Sequence, residues 1–326
     1  MSEGGMTLLD GTDLRSLHLS LPDSTVTLTG AELLDFVESK ASESLFGLSL
    51  PHHLKSSALL RLNLADDLTF RRQQLTREAA VNILDQYVTA IADELNENPL
   101  VVSVLNGNTL RLFLEDEDDF AMLAENLFTD LDVKDKGKIS KSEVRNALLH
   151  MGVEMGIPPL QELPMLNDIL KKHGAEGEEE LGQAQFAELL QPILEEIADT
   201  LAKKHIVVVQ NIKIVNGSKL RKVLSDEKQL NKVAEKMLQE KRSNKDDENN
   251  MKTIRSFLEE NGNELGLPPS EANETVLSLY DSVFADIEIA KFAAESESEL
   301  RELVKETLEK FAEQLEANPV YCDIDI

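Results

Sequence analysis

The sequence predicts a mainly α-helical protein with short β-strands, built as two paired helix-loop-helix lobes behind a diverged N-terminal module. Three observations support this fold class. Apolar residues recur at helical spacing over most of the 326 residues, two short patterns repeat at a constant offset, and a β-rich stretch precedes each repeat. Because a repeated unit buries its apolar face against its neighbours, we expect the helices to pair.

Two patterns recur 110 residues apart. The first reads NGNTLR at 106–111 and NGSKLR at 216–221, and the second reads GIPP at 156–159 and GLPP at 266–269. Chance rarely gives the same offset at two separate places, so the chain is predicted to contain duplicated units.

The N-terminal part carries a weaker copy of the repeat start, in which Gly30 aligns with Gly107. The first module is therefore predicted to be shorter and more diverged. Short strands are expected before the three starts, at 25–28, 100–105 and 206–215. The predicted domains are a diverged N-terminal module at 1–99, a first lobe at 100–205 and a second, degenerate lobe at 206–326.

Charge and cysteine content narrow the function classes. The chain has 61 acidic and 33 basic residues and a net charge of -28, which argues against binding to nucleic acid or an anionic membrane. Protein partners are expected, a basic amphipathic helix among them. Cys322 is the only cysteine, and no segment resembles a signal peptide or a membrane span. These features predict a cytoplasmic or nuclear location.

One segment fits the frame of a calcium-binding helix-loop-helix hand. Such a 12-residue loop places ligands at positions 1, 3, 5, 7, 9 and 12 and glycine at position 6. A loop that starts at Asp132 has Gly137 at position 6, Ile139 at position 8 and Glu143 at position 12. Apolar residues flank this loop on both sides: Ala124, Leu127, Phe128, Leu131, Val144, Ala147, Leu148 and Met151.

Three further segments fit the frame with weaker loops. The loop 174–185 has Leu181 at position 8, and because hands pair through this position we expect Ile139 to lie opposite Leu181. The loops 242–253 and 288–299 both lack glycine at position 6, and the former has also lost both end anchors.

On these residues the chain resembles the EF-hand superfamily. The pattern GxxLxxFLxD at 107–116, ahead of LFxxLD at 127–132, is similar to plant EF-hand proteins of uncertain role. The resemblance covers about residues 103–311. It implies a calcium-binding sensor or adaptor in which calcium exposes a groove for a partner helix. The alternative is a calcium-independent structural scaffold with vestigial hands.

The first loop is the one candidate calcium site. Asp132 and Glu143 hold its end positions. The backbone carbonyl of Lys138 and the hydroxyl of Ser140, acting through water, complete the predicted ligand set.

Two lysines weaken this site. Lys134 and Lys136 stand at positions 3 and 5, where they supply no oxygen ligand. Unit charges 4 Å apart interact by about 4 kcal/mol at an effective dielectric constant of 20, so a nearby ammonium group disfavours a bound cation. The loop 174–185 begins with glycine and ends with glutamine. We therefore expect at most one Ca²⁺ site, of weak affinity.

The sequence offers no catalytic pattern. The pair His52 and His53 has no third histidine or cysteine nearby, and no serine, histidine and aspartate share a triad-like spacing. The NG dipeptides lack a phosphate-loop pattern and indicate turns. The chain is therefore predicted not to be an enzyme.

Overall fold

The computed structural model of the protein describes residues 6–21, 27–64, 68–243, 250–287 and 296–323. Within these residues the protein is mainly helical with short strands, as the sequence predicts. No helix in this part of the chain combines the length and the apolar character needed to cross a membrane.

Short strands are interspersed among the helices along the chain. The helices are α1 (Thr12–Arg15), α2 (Gly30–Ser44), α3 (His52–Arg61), α4 (Leu68–Arg72), α5 (Arg77–Glu97), α6 (Asn108–Glu115), α7 (Glu117–Leu131), α8 (Val144–Met151), α9 (Leu166–Lys172), α10 (Gln183–Lys203), α11 (Ser218–Ser225), α12 (Glu227–Ser243), α13 (Asn250–Leu265), α14 (Glu274–Ala285) and α15 (Glu297–Ala317). The strands are β1 (Met6–Leu9), β2 (Thr27–Thr29), β3 (Gln74–Thr76), β4 (Leu100–Leu105), β5 (Ile139–Ser140), β6 (Glu180–Leu181), β7 (Ile206–Val215) and β8 (Val320–Asp323).

The chain divides into two compact units. The first consists mainly of Val102–Gln210, and the second consists mainly of the described parts of Leu8–Leu45, Ser49–Val101 and Asn211–Ile326. The division into three domains at 1–99, 100–205 and 206–326 stays a prediction.

A small sheet contains β4 and β7, which are rich in valine and isoleucine. Its strand order is β1-β4-β7-β8, and β7 and β8 are antiparallel with Val215 opposite Val320. β-Branched residues favour this extended, half-buried conformation. The strands predicted at 100–105 and 206–215 are confirmed.

In the first unit, α7, α8, α9 and α10 form two helix-loop-helix segments joined by β5 and β6. These strands are antiparallel with Ile139 opposite Leu181, so the predicted contact is confirmed. The rings of Phe128 and Phe186 pack with their centroids 5.9 Å apart. The other predicted core residues are buried as well: Leu127, Val144, Leu148, Ile169, Leu170 and Leu190.

Residues 215–322 of the second unit form a comparable helical core. The rings of Tyr280 and Phe311 meet edge to face with their centroids 4.8 Å apart. Every core residue predicted for this segment is buried: Ala234, Met237, Leu238, Ile254, Phe257, Leu258, Tyr280, Val283, Phe284, Leu300, Leu303 and Val304. Burial of a large apolar side chain contributes roughly 1.5–3 kcal/mol, so both cores are stabilised by packing.

The alignment of Gly30 with Gly107 is wrong. Gly30 follows the N-cap residue Thr29 at the start of α2, and its φ is not positive. Gly11, Gly107 and Gly217 instead have matching φ angles of 82°, 84° and 78°, and each precedes a short helix. The first copy therefore begins at residues 10–15, which read DGTDLR.

These three glycine turns share one geometry. The residue before each glycine accepts a hydrogen bond from the backbone N–H two positions later, with distances of 2.9 Å for Asp10, 3.0 Å for Asn106 and 3.1 Å for Asn216. The leucine three residues after each glycine is fully buried: Leu14, Leu110 and Leu220. The arginine after that leucine pairs with a carboxylate on a long helix, and the pairs are Arg15–Asp93 at 2.9 Å, Arg111–Asp199 at 2.8 Å and Arg221–Glu316 at 2.8 Å.

Candidate functional site

The loop that follows α7 is shaped by the carboxylate of Asp132. Its Oδ1 accepts a hydrogen bond from the backbone N–H of Lys136 at 3.0 Å, and its Oδ2 accepts one from that of Gly137 at 2.6 Å. Gly137 has a φ of 67°, and a Cβ built on it would have no atom within 4 Å. The loop therefore makes its sharp turn at the predicted glycine.

The other predicted ligands have neighbours of their own. The Ser140 hydroxyl lies 2.7 Å from that of Ser142, and the Glu143 carboxylate accepts a hydrogen bond from Asn146 Nδ2 at 2.7 Å. Lys138 Nζ lies 3.8 Å from Glu180 Oε2, and the ligand role predicted for this residue belongs to its backbone carbonyl. The set Asp132, Lys138, Ser140 and Glu143 stays a prediction.

Carboxylate, histidine and cysteine groups do not form a larger metal cluster in the described part of the chain. No three such side chains there lie close enough together to hold an ion. The predicted set contains only two carboxylates, so it is not tested by this observation.

The lysines of the first loop pair with glutamates of the second. Lys141 Nζ forms an ion pair with Glu179, and Lys138 Nζ lies 3.8 Å from Glu180 Oε2. The backbone N–H of Lys141 also donates to the carbonyl of Glu179 at 2.9 Å. Opposite charges on paired strands stabilise the pairing, with a modest effect at an exposed site. A basic loop is thus joined to an acidic one at β5 and β6.

Both loops carry further exposed charge. Lys134 and Lys136 of the first loop are exposed, and so are Glu176 and Glu178 of the second. At position 12 of the second loop, Gln185 accepts a hydrogen bond from the N–H of Gly182 at 3.1 Å. This side chain therefore caps the start of α10 and does not face the loop interior as a ligand would.

Half of the third predicted loop and two thirds of the fourth lie outside the described residues. The loop 242–253 includes the undescribed segment 244–249, and the loop 288–299 includes 288–295.

An open groove of about 760 Å³ lies beside α9 and α10 in the first unit. Apolar side chains form much of its wall, including Leu163, Pro164, Pro192 and the half-exposed Met165. Charged groups of both signs line it as well, Glu195 and Lys203 among them. A surface of this kind suits a peptide segment with an apolar face.

A small ion-pair cluster lines the same groove. Glu196 Oε2 lies 2.8 Å from Lys172 Nζ and 2.7 Å from His173 Nε2. Hydrogen bonds from Lys172 and then His173 hold the pKa of Glu196 below its ordinary value. The cluster links the end of α9 to α10 and fixes that wall of the groove.

Two histidines and the cysteine have neighbours that the structure defines. His52 Nδ1 lies 3.3 Å from the Ser56 hydroxyl one turn along α3, and His205 Nε2 lies 2.7 Å from the carbonyl of Phe46. Cys322 is buried in the second unit, and this burial raises the pKa of its thiol. The prediction that the chain is not an enzyme stays a prediction.

Sequence reasoning missed the ion pairs between the two loops. The signal was present, because lysines stand at 134, 136, 138 and 141 and glutamates at 176 and 178–180. Once position 8 of each loop was expected to pair, these opposite charges could have been placed side by side.

The chain matches no known protein family, no curated protein and no solved structure.

Proposed function

We propose that the chain is a protein-binding scaffold whose paired helix-loop-helix module, similar to that of EF-hand proteins, holds its shape without calcium. The observation that carries this proposal is the pairing of a basic loop with an acidic one through Lys138–Glu180 and Lys141–Glu179. In a calcium-dependent hand, the ion neutralises carboxylates that converge on the loop. Here lysine ammonium groups supply positive charge at the paired loops.

Packing supports the same conclusion. Phe128, Phe186 and the other buried residues of the first unit form a continuous core around the two helix-loop-helix segments. Each large side chain contributes roughly 1.5–3 kcal/mol when buried, whereas an exposed ion pair contributes about 0–1 kcal/mol. The helices are therefore held by the core, and the ion pairs add a small contribution where β5 meets β6.

The groove beside α9 and α10 is the surface proposed to bind a partner. Its apolar wall favours an amphipathic helix, and the net charge of -28 on the chain favours a basic one. Met165 is 52% exposed and lines this groove, so it is the natural point at which to test binding.

The test is affinity capture with mass spectrometry on the full chain, in parallel for the wild type, Met165→Glu and Met122→Glu. Met122 is a matched control, because it is 59% exposed on α7 and does not line the groove. We expect a set of partners that Met165→Glu loses and Met122→Glu retains, unchanged by a calcium chelator. Partners that are retained by Met165→Glu or lost on chelation would contradict the proposal.

A second candidate function is weak calcium binding at the loop 132–143. It is favoured by the turn at Gly137 and by the position of Asp132, whose carboxylate already holds that turn. Asp132, the carbonyl of Lys138, Ser140 and Glu143 would provide the oxygen ligands. Calorimetric titration of the wild type and Glu143→Gln tests it, since a site in this loop must weaken in the variant.

A further inference from the structure

A small recess in the second unit has two lysines in its wall. Its volume is about 20 Å³, and the residues that line it include Lys213 of β7, Lys219 of α11, Gly217 and Gly266. A space of about 10–15 Å³ holds one water molecule. The recess therefore admits a group of that size, such as one oxygen of an anion.

The two ammonium groups converge on one neutral residue. Lys213 Nζ lies 3.5 Å from Asn263 Oδ1, and Lys219 Nζ lies 3.3 Å from the carbonyl oxygen of Asn263. Burial lowers the pKa of Lys219, and the charge of Lys213 lowers it further, so the two cations repel each other. Because an ammonium group has three N–H donors, both lysines keep donors for a ligand.

The carboxylates near the recess are paired with other cations. Glu97 lines the recess, and its oxygens lie 2.8 Å from Arg61 Nη2 and 2.9 Å from Lys222 Nζ. Glu264 Oε2 lies 3.3 Å from Lys236 Nζ. Among the residues that the structure describes, no carboxylate forms an ion pair with either lysine of the recess. Two positive charges are therefore uncompensated here, in a chain of net charge -28.

The first copy of the repeat lacks these polar groups. At the 110-residue offset, the corresponding pairs are Lys213 with Ser103, Lys219 with Thr109 and Asn263 with Val153. The glycine that faces the side chain is common to both copies. A Cβ built on Gly266 would lie 2.8 Å from Lys219 Cβ, and one on Gly156 would lie 3.1 Å from Thr109 Cβ. Threonine packs in the place where the second copy has lysine, so packing alone does not explain the amine.

We propose that this recess is a binding site for a small oxyanion of the phosphate type, held by the ammonium groups of Lys213 and Lys219. Lysine binds phosphate as a compact point charge. A phosphate group carries a charge of about -1.5 to -2 at pH 7, which matches two lysines better than the single charge of a carboxylate does. The volume lets one oxygen enter, and the rest of the anion stays at the opening. The inference goes beyond the proposed function, because none of these residues lines the groove that contains Met165.

Equilibrium dialysis of the full chain with radiolabelled inorganic phosphate tests the site directly. Ionic strength is held constant with sodium chloride, because salt screens exposed charges. We expect a single bound phosphate per chain. Lys219→Thr and Lys213→Ser introduce the residues of the first copy and should each weaken binding about tenfold, since each removes one of two charges beside the anion.

The matched control is Lys232→Thr. Lys232 is an exposed lysine of the same unit and does not line the recess, so this variant should bind phosphate as the wild type does. Absence of saturable binding, or equal loss in Lys219→Thr and Lys232→Thr, would overturn the proposal. The second result would mean that phosphate responds only to the net charge of the chain.

Competition against the labelled phosphate identifies the anion. Sulfate has the same shape and two charges, so it should compete well, whereas acetate should compete weakly at equal ionic strength. Competition by acetate as strong as that by sulfate would overturn the phosphate assignment. Glycerol 3-phosphate distinguishes the sources: stronger competition than by unlabelled phosphate assigns the site to an organic phosphate, and weaker competition assigns it to the free ion. Both orders support a phosphate site.

Thermal unfolding separates binding from a structural role of the lysine. Lys219→Met keeps an apolar stem and removes the repulsion from Lys213, so its Tm in chloride should not fall below that of the wild type. Phosphate at equal ionic strength should raise the Tm of the wild type only. An equal rise in both proteins, or an equal loss of stability in both salts, would overturn the proposal. Loss of this site with Met165-dependent capture intact would leave the proposed function standing.

Discussion

The three glycine turns of the chain differ from the two loops described in the first unit in what holds them in place. Gly11, Gly107 and Gly217 share their φ, their hydrogen bond and the buried leucine that follows. The loops 132–143 and 174–185 share only a frame, because one is basic and the other acidic. The turns are fixed by the close approach of two backbones, whereas the ion pairs that join the loops lie at the surface and can be exchanged.

Because of this difference, the turns and the loops tolerate different substitutions. A Cβ at Gly107 would lie 2.3 Å from Ala198 O, and one at Gly11 would lie 2.3 Å from Ala92 O, so these turns accept no side chain. Gly137 has the same sign of φ but open space around it. The first kind of glycine is required by packing, and the second only by the turn itself.

The largest expected effect is therefore at Gly107. Gly107→Val adds a β-branched side chain at positive φ and against Ala198 O, which should destabilise the first unit by at least about 3 kcal/mol. Gly137→Ala introduces only the strain of a left-handed backbone conformation, so it should lower the free energy of unfolding by about 1–2 kcal/mol. Urea unfolding followed by circular dichroism measures both. Equal losses at the two glycines would abolish the distinction drawn between turns and loops.

A smaller effect is expected when the charge of the first loop is changed. The double substitution Lys134→Asp and Lys136→Asp should restore calcium binding, because Gly137 and the helix faces are in place and only ligand charge is lacking. Calorimetry should show at least a tenfold gain in affinity, about 1.4 kcal/mol. Glu143→Gln in the same background is the control and should reverse the gain.

Helices and core residues could be predicted from the sequence where a repeated segment has apolar residues at the same helical positions. The 110-residue offset located α6, α11 and both cores, and position 8 located the contact of Ile139 with Leu181. The first glycine turn was missed because DGTDLR shares only glycine, leucine and arginine with NGNTLR and stands at a different offset. Three identities become significant only when the φ of Gly11 and the ion pair of Arg15 are known.

The candidate site was harder to predict than the cores. Burial follows from the spacing of apolar residues, which one sequence displays. The loops depend on which charged side chains meet across β5 and β6, and long side chains such as Lys138 and Lys141 can reach several partners. The positions of the loops could therefore be predicted from the sequence, but the ion pairs that join them could not.

A modest loss of stability is expected when the paired loops are made alike in charge. Glu179→Lys removes the ion pair with Lys141 and places a second ammonium group beside it. Because both groups are near the surface, the loss should be about 0.2–1 kcal/mol and should shrink as salt is raised. Glu176→Lys, a change at an exposed residue with the same charge difference, is the control for net charge. Equal salt-dependent losses in the two variants would mean that the Lys141 pair has no specific role.

The smallest effect concerns acid stability, because only the first glycine turn uses an ionisable residue. The N–H of Thr12 donates to Asp10 at 2.9 Å and lowers the pKa of that carboxyl below its ordinary 3.8, whereas the second and third turns use Asn106 and Asn216. A carboxyl whose pKa is lowered by folding contributes stability that is present above its unfolded pKa and is lost as pH falls through its folded pKa. Asp10→Asn should therefore leave Tm at neutral pH nearly unchanged and make it fall less steeply below about pH 4. Asn106→Asp should introduce the same acid sensitivity at the second turn. Calorimetric Tm between about pH 2 and pH 7 checks both variants, and parallel curves for all three proteins would show that the turns do not share one hydrogen-bonding role.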